Sequence, residues 1–284
     1  MRWLRDSLRL GPQAPLLAPA AFVWVALFAA PLSSFFIFSF WSVRARVMRP
    51  DLTPKNYVAT FTQYGDVLIV TLAIAFTIAC VTTLLAFAFA FAIRFRAGRF
   101  GDMLLLVTLI AIFGGYLVKI YAWKSILGRD GIINGFLLWT GVIDEPLGFL
   151  IYSPSAVVVT LTYFLLPFAV LPIYGSMRGI PDELIEAARD LGATSLAASR
   201  DIVMPLCERG IYVAFLFSFL ISAGDYVTPR FVGGGASMMG HFIETQFSFG
   251  FNWPMGSAMS FTLLAASLLI VLAFRLALRM GLRR

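Results

Sequence analysis

From Gly11 through Val43 the chain carries no Asp, Glu, Lys or Arg, and this run limits what the protein can become more than any other feature. At about 1.5 Å per residue, a helix over it outreaches the roughly 30 Å of hydrocarbon in a bilayer. It also exceeds the roughly 7 to 15 apolar residues of a signal peptide, so it reads as a retained first helix. Five more segments repeat the pattern. The expected spans are about Ala14 to Trp41, Val67 to Ile93, Met103 to Trp123, Ala156 to Met177, Cys207 to Gly224 and Gly256 to Phe274. Backbone N–H and C=O groups in hydrocarbon must be satisfied within the protein, which makes the helix the spanning form for runs this long. The expected fold class is all-α, a polytopic transmembrane bundle of six spans, with residues 1–284 forming a single membrane domain. Pro31, Pro167 and Pro172 lie inside spans and predict kinks rather than ends.

With 60% hydrophobic and 13% charged residues, the chain does not have a soluble composition. Its net charge of +7 comes from 22 Lys and Arg against 15 Asp and Glu. The basic residues sit between spans, so they report membrane topology rather than nucleic-acid binding, and no nucleic-acid partner is expected. With both termini on the cytoplasmic side, the inner segments hold fourteen: Arg2, Arg5, Arg9, Arg94, Arg96, Arg99, Arg178, Arg189, Arg200, Arg209, Arg275, Arg279, Arg283 and Arg284. The outer segments hold eight, including an opposing cluster of Arg44, Arg46 and Arg49. That bias favours the inner placement of both ends in a membrane surrounded by lipid. Cys80 lies in a span and Cys207 beside a charged loop, so no disulfide is expected between these depths.

The phosphate-cradling pattern G-x-x-x-x-G-K-[ST] is absent, so this chain is not itself an ATPase, and no enzyme activity is expected of it. Ion-driven carriers usually bury ionisable groups at the midplane, yet the first, second, fourth and sixth spans contain no Asp, Glu, Lys, Arg or His. Lys119 and Asp225 lie toward the outer ends of the third and fifth spans, where Lys119 is placed to snorkel. Energy is therefore expected to arrive from outside the membrane. The one histidine, His241, is expected in an outer loop, three residues before Glu244, and its spacing demands no catalytic set. Met238, Met239 and Met255 read as packing residues, and no metal or cofactor is expected on the chain.

The segment from Arg178 to Arg209 interrupts two spans with a dense amphipathic stretch. Pro181 suits a first helical position, and Asp182 and Glu183 complement the positive end of the helix dipole. Leu184, Ala187, Ala188 and Leu191 recur at i, i+3, i+4 and i+7 as one expected apolar stripe. Gly192 follows, where a left-handed terminator is favourable, and Thr194 or Ser195 is placed to cap a second short helix. A helix-turn-helix lying at the inner surface is expected. It reads either as an interfacial helix resting in the headgroups or as a face that another protein approaches.

The order Glu186-Ala187-Ala188, Gly192, Ile202, Pro205 resembles the cytoplasmic signature of permease subunits of binding-protein-dependent type I ABC importers, with Met204 where that family usually has Leu. In that family this loop is the coupling helix, which fits a groove on a separate ATPase subunit. Other stretches resemble the polyamine (spermidine and putrescine) branch. They are Tyr121-Ala122-Trp123, Leu127-Gly128-Arg129-Asp130-Gly131 with Asn134, Gly224-Asp225-Tyr226-Val227-Thr228-Pro229, Gly233-Gly234 and Trp253-Pro254. Lys119-Ile120 stands where that branch often has Arg-Thr. The resemblance implies a dimer of ABC ATPase subunits carrying ATP, a second homologous permease and a periplasmic solute-binding protein in a bacterial inner membrane. A passage for a flexible polycation needs carboxylates and aromatic faces, which makes Tyr116, Tyr121, Trp123, Asp225, Tyr226 and Glu244 its candidates. For Asp225 the competing expectation is a bond to loop amides at a helix end. Import of another small solute, such as an amino-acid derivative or a phosphonate, and ion-driven transport stand as alternatives.

Overall fold

The computed structural model describes residues 14–45, 47–234 and 238–282. Arg2, Arg5, Arg9, Arg46, Gly235, Arg283 and Arg284, which entered the charge count or the loop motifs, lie outside the described residues. Helix α1 (residues 14–38) joins Ala14–Trp24, a π-turn over Val25–Ala29 and Ala30–Phe38. The π-turn stands directly before Pro31, and the Ala30 N–H bonds five residues back to the Val25 carbonyl. The expected proline kink is thus accompanied by a widened turn that makes room for the ring. The helix ends before Trp41, and a short antiparallel ribbon follows, pairing β1 (Ser42–Arg44) with β2 (Val47–Arg49).

Helix α2 (Lys55–Phe95) runs 41 residues without a break, about 60 Å at the usual rise. It starts three turns earlier than the apolar run, because Asn56 bonds back to the Ser39 and Trp41 carbonyls and fixes the entry of the chain. Its inward face carries Ala75, Ala79, Ala86 and Ala90, all fully buried. Small side chains at such spacing let helix backbones approach closely, which is how packing is gained where lipid removes the hydrophobic drive between helices. Against this face lie α6 (Pro154–Arg178), α9 (Glu208–Gly224) and α12 (Trp253–Leu282). Pro167 and Pro172 sit inside the continuous helix α6.

The expected third span is not one straight helix. It divides into α3 (Gly101–Ile112) and a second segment, α4 (Tyr116–Leu127) with α5 (Ile132–Trp139), and the two segments are bent by 100° relative to one another. Gly114-Gly115 is the break, and Lys119 turns back to donate to the Ala111 carbonyl at 2.6 Å rather than snorkelling outward. Its ammonium also lies over the Phe164 ring at 5.1 Å. The fifth span is likewise preceded by a bend, 78° at Cys207, which joins it to the elbow between the fourth and fifth spans. Among the described residues four helices are long and apolar enough to cross a membrane alone, and counting each of the two bent pairs as one span brings the number to six. Short helices α10 (Val227–Val232) and α11 (Met239–Ser248) fill the last long connection, so His241 stands on a helix rather than in the loop expected. Met238, Met239 and Met255 are buried in apolar clusters.

The connections sort coherently to two ends. Arg94, Asp182, Glu208 and Arg279 meet at one, through the Arg94–Asp182 and Glu208–Arg279 pairs. The Phe35–Trp253, Tyr116–Asp225 and Thr71–Met239 contacts gather at the other.

One tight helix crossing turns on Gly210. A Cβ there meets Ser176 Oγ at 2.5 Å and the Pro172 carbonyl at 2.6 Å, so α6 and α9 touch backbone to backbone. Gly210→Ala is expected to destabilise the bundle by about 1 to 3 kcal/mol through overpacking, read as a lower melting temperature of the detergent-purified protein. Gly135→Ala in α5, where a Cβ meets nothing within 4 Å, should not lower it.

Candidate functional site

The elbow consists of α7 (Asp182–Asp190) and α8 (residues 195–206), the latter built from Ser195–Ala198, a π-turn over Ser199–Val203 and Met204–Leu206. Pro181 is the residue before the helix, with φ −62° and ψ 140°, rather than its first helical residue, and Asp182 and Glu183 occupy the first turn. Gly192 terminates α7 with φ +84°. Its N–H bonds to the Arg189 carbonyl and the Ala193 N–H bonds to the Ala188 carbonyl, the two-bond Schellman pattern that a left-handed residue allows. Thr194 then caps α8, its Oγ1 accepting from the Ala197 N–H at 3.2 Å.

The apolar stripe expected from sequence divides in two. Ile185 and Ala188 face inward, and Ile185 joins the core formed by Ile93, Ile173, Met177, Val203 and Ile211. Leu184, Ala187 and Leu191 face outward, with Leu191 89% exposed. The reason is the root of the helix: Arg94, at the end of α2, donates to Asp182 Oδ1 at 2.8 Å and to the Ile180 carbonyl at 3.2 Å, fixing the rotation of α7. Glu186 and Gly192 are exposed, whereas Ile202 and Pro205 are half-buried beside the core and the end of α12. The elbow is therefore a rigid bracket with its root in the bundle and an outward apolar edge.

At the end of the bundle opposite the elbow, Asp225 is 9% exposed and both of its carboxylate oxygens are bonded. Oδ1 accepts from Tyr116 OH at 2.7 Å and from the Val227 N–H at 3.1 Å, and Oδ2 accepts from the Thr228 N–H at 3.2 Å. Tyr116 OH also lies 2.7 Å from Thr228 Oγ1. This cluster ties the first turn of α4, just after the Gly114-Gly115 break, to the start of α10. Asp225 thus serves the loop amides, the second of the two roles weighed for it. Tyr121 packs on Phe231 at 5.3 Å between ring centroids and Trp123 on Tyr163 at 5.5 Å, so neither ring joins the Tyr116–Asp225 cluster.

Tyr226 and Glu244 both line a cavity elsewhere, of about 560 Å³, between the C-terminal end of α9, helix α12 and helix α11. Six residues raised as path candidates therefore separate into a structural clasp, two aromatic packing pairs and one cavity. Arg94 entered the sequence reading only as a charge, and Thr228 and Asn134 only as members of motifs, so the contacts they make here were not read from sequence. Asn134 is fully buried and bonds the Gly128 and Leu147 carbonyls and the Leu147 N–H, which closes the Leu127–Gly131 turn. Arg94 contacts residues 86 positions away, a relation without a local signature.

No protein-family model matches the chain. Over 234 residues it is 34% identical to the spermidine/putrescine transport system permease protein PotB of Escherichia coli (strain K12), covering 81% of this chain and 84% of that protein. Over 117 residues it is 32% identical to the permease protein PotC of the same strain, covering 41% and 44% of the two chains. In fold it is similar to a chain of a bacterial alginate ABC transporter crystallised with an alginate-bound periplasmic protein, with a TM-score of 0.68, 16% identity and coverage of 97% and 96%.

The elbow predicts how its terminator responds. A Cβ at Gly192 meets no atom within 4 Å, so Gly192→Ala strains only the left-handed backbone, by about 1 to 2 kcal/mol. Faster hydrogen exchange at the Gly192 and Ala193 amides is expected, with α6 and α9 unchanged.

Proposed function

This chain belongs to the permease subunits of ABC transporters, alongside PotB, and from that premise we propose that it forms half of the translocation pathway of a polyamine importer. It is a multi-pass membrane protein by its apolar helices and its relatives. In this reading two ABC ATPase subunits bind ATP and dock on the elbow and on its counterpart in a second, homologous permease. A periplasmic solute-binding protein delivers cargo to the outer face. Both termini then lie in the cytoplasm, and the chain itself carries no cofactor and performs no covalent chemistry.

The observation that supports coupling is the division of α7 into two faces. An interfacial helix buries its apolar stripe in lipid, but here the Ile185 side enters the protein core while Leu184, Ala187 and Leu191 stand outward. The small Ala187, beside Glu186, lets a partner approach the helix closely. Force applied to that edge is passed through Ile185 to the inner ends of α2, α6 and α9, and through Arg94 to the end of α2. Rigid-body motion of these packed helices is the kind of movement alternating access requires. The polyamine assignment rests on the likeness to PotB. The alginate transporter shares the fold and takes an acidic polysaccharide, so cargo is a property of sites rather than of architecture.

Two measurements test this reading. Arg94→Asp is expected to keep the complex assembled but to lower uptake about ten-fold relative to ATP hydrolysis, a loss on the scale of about 1.4 kcal/mol. The exchange Arg94→Asp with Asp182→Arg should recover most of that loss, because the attraction is restored with its direction reversed. Uptake and hydrolysis that stay locked together in Arg94→Asp refute coupling through this bracket. For cargo, the wild-type complex in proteoliposomes with its binding protein should accumulate labelled spermidine or putrescine, and accumulation of neither refutes the polyamine assignment.

A further inference from the structure

We propose that the cavity between α9, α11 and α12 is a transit site for the ammonium end of an organic cation, with Glu244 as its counter-charge. The proposal deepens the import reading above and rests on it. The cavity, of about 560 Å³, has a size that suits a small solute. Its lining is mainly leucine and other apolar side chains, joined by Tyr226, Phe247, Ser248, Ser260 and Ser267, and among the described lining residues Glu244 alone is charged.

Glu244 is unusual in what it lacks. Its side chain is 18% exposed, and Oε2 is buried with no hydrogen-bond partner among the described residues. His241 Nδ1, one helical turn before it, is buried and unpartnered as well, 4.0 Å from Oε2. That separation is too long for a hydrogen bond between them. A carboxylate held in apolar surroundings without a donor is costly, and in membrane proteins such groups mark ion and substrate paths. Asp225, by contrast, has its carboxylate spent on Tyr116 and two backbone amides.

An ammonium group in the cavity supplies a counter-charge: it has three donors and no acceptor, and Glu244 is the one charged residue among the described lining residues. The faces of Tyr226 and Phe247 add the attraction of aromatic rings for positive charge, and the leucines meet a methylene chain. A carboxylate or phosphate solute meets repulsion from Glu244 and no compensating cation in the lining.

The test uses the complete transporter in proteoliposomes, driven by ATP and supplied with spermidine on the binding protein. Glu244→Gln keeps shape and removes charge, and is expected to lower spermidine uptake at least ten-fold, while Glu244→Asp retains it within about three-fold. Ser260→Phe leaves the charge and fills the cavity, and it too should block uptake, so a folding defect in one variant leaves the other decisive. Wild-type spermidine uptake in both Glu244→Gln and Ser260→Phe overturns this site and leaves the polyamine reading standing. A wild-type complex that imports an uncharged or anionic solute and no polyamine overturns both.

Discussion

Everything functional in this protein hangs from the long helix α2. Lipid offers no hydrophobic drive to hold helices together, so the bundle depends on close approach along a small-residue face, Ala75, Ala79, Ala86 and Ala90. Because α2 is unbroken over 41 residues, it links the two ends mechanically. In its first half Thr71 Oγ1 accepts from the Met239 N–H at 2.8 Å and so positions α11, the helix that carries His241 and Glu244. At its C-terminal end Arg94 seats the elbow.

Where the helices break, the freed polar groups find partners, as they must at membrane depth. The Gly114-Gly115 bend exposes the end of α3, and Lys119 returns to the Ala111 carbonyl. The start of α10 exposes amides, which Asp225 takes up while it also receives Tyr116 OH. Lys119, expected to snorkel, and Asp225, a candidate for a polycation, are thus both engaged at the bends. Glu244 was no more conspicuous in sequence, and it is the carboxylate whose buried oxygen remains without a partner.

The elbow was well legible. Its boundaries follow from Pro181, the acidic first turn, Gly192 and Thr194, all of which act through backbone bonds within a few residues, and such local chemistry is written in local order. The rotation of α7 was not legible. A 3.6-residue period placed Leu184, Ala187, Ala188 and Leu191 on one stripe, but the helix buries Ile185 and Ala188 instead, because its root is set by Arg94 and by the hydrophobic core it meets. The same limit applied to the six path candidates: residue type brought Tyr116 and Glu244 into one set, and the fold assigns them to different places.

The sequence by itself determined that the chain is helical and membrane-spanning, since uncharged runs longer than a bilayer have no other stable form. It also determined the elbow with its left-handed glycine. Only the tertiary structure decided where the third span bends, which face of α7 is left outward, and which carboxylate keeps an oxygen free of bonds. Those outcomes depend on contacts between residues such as Arg94 and Asp182, or Tyr116 and Asp225, that lie 88 and 109 positions apart. Partners that distant are chosen by the packing of whole helices, and no local pattern of residues encodes that choice.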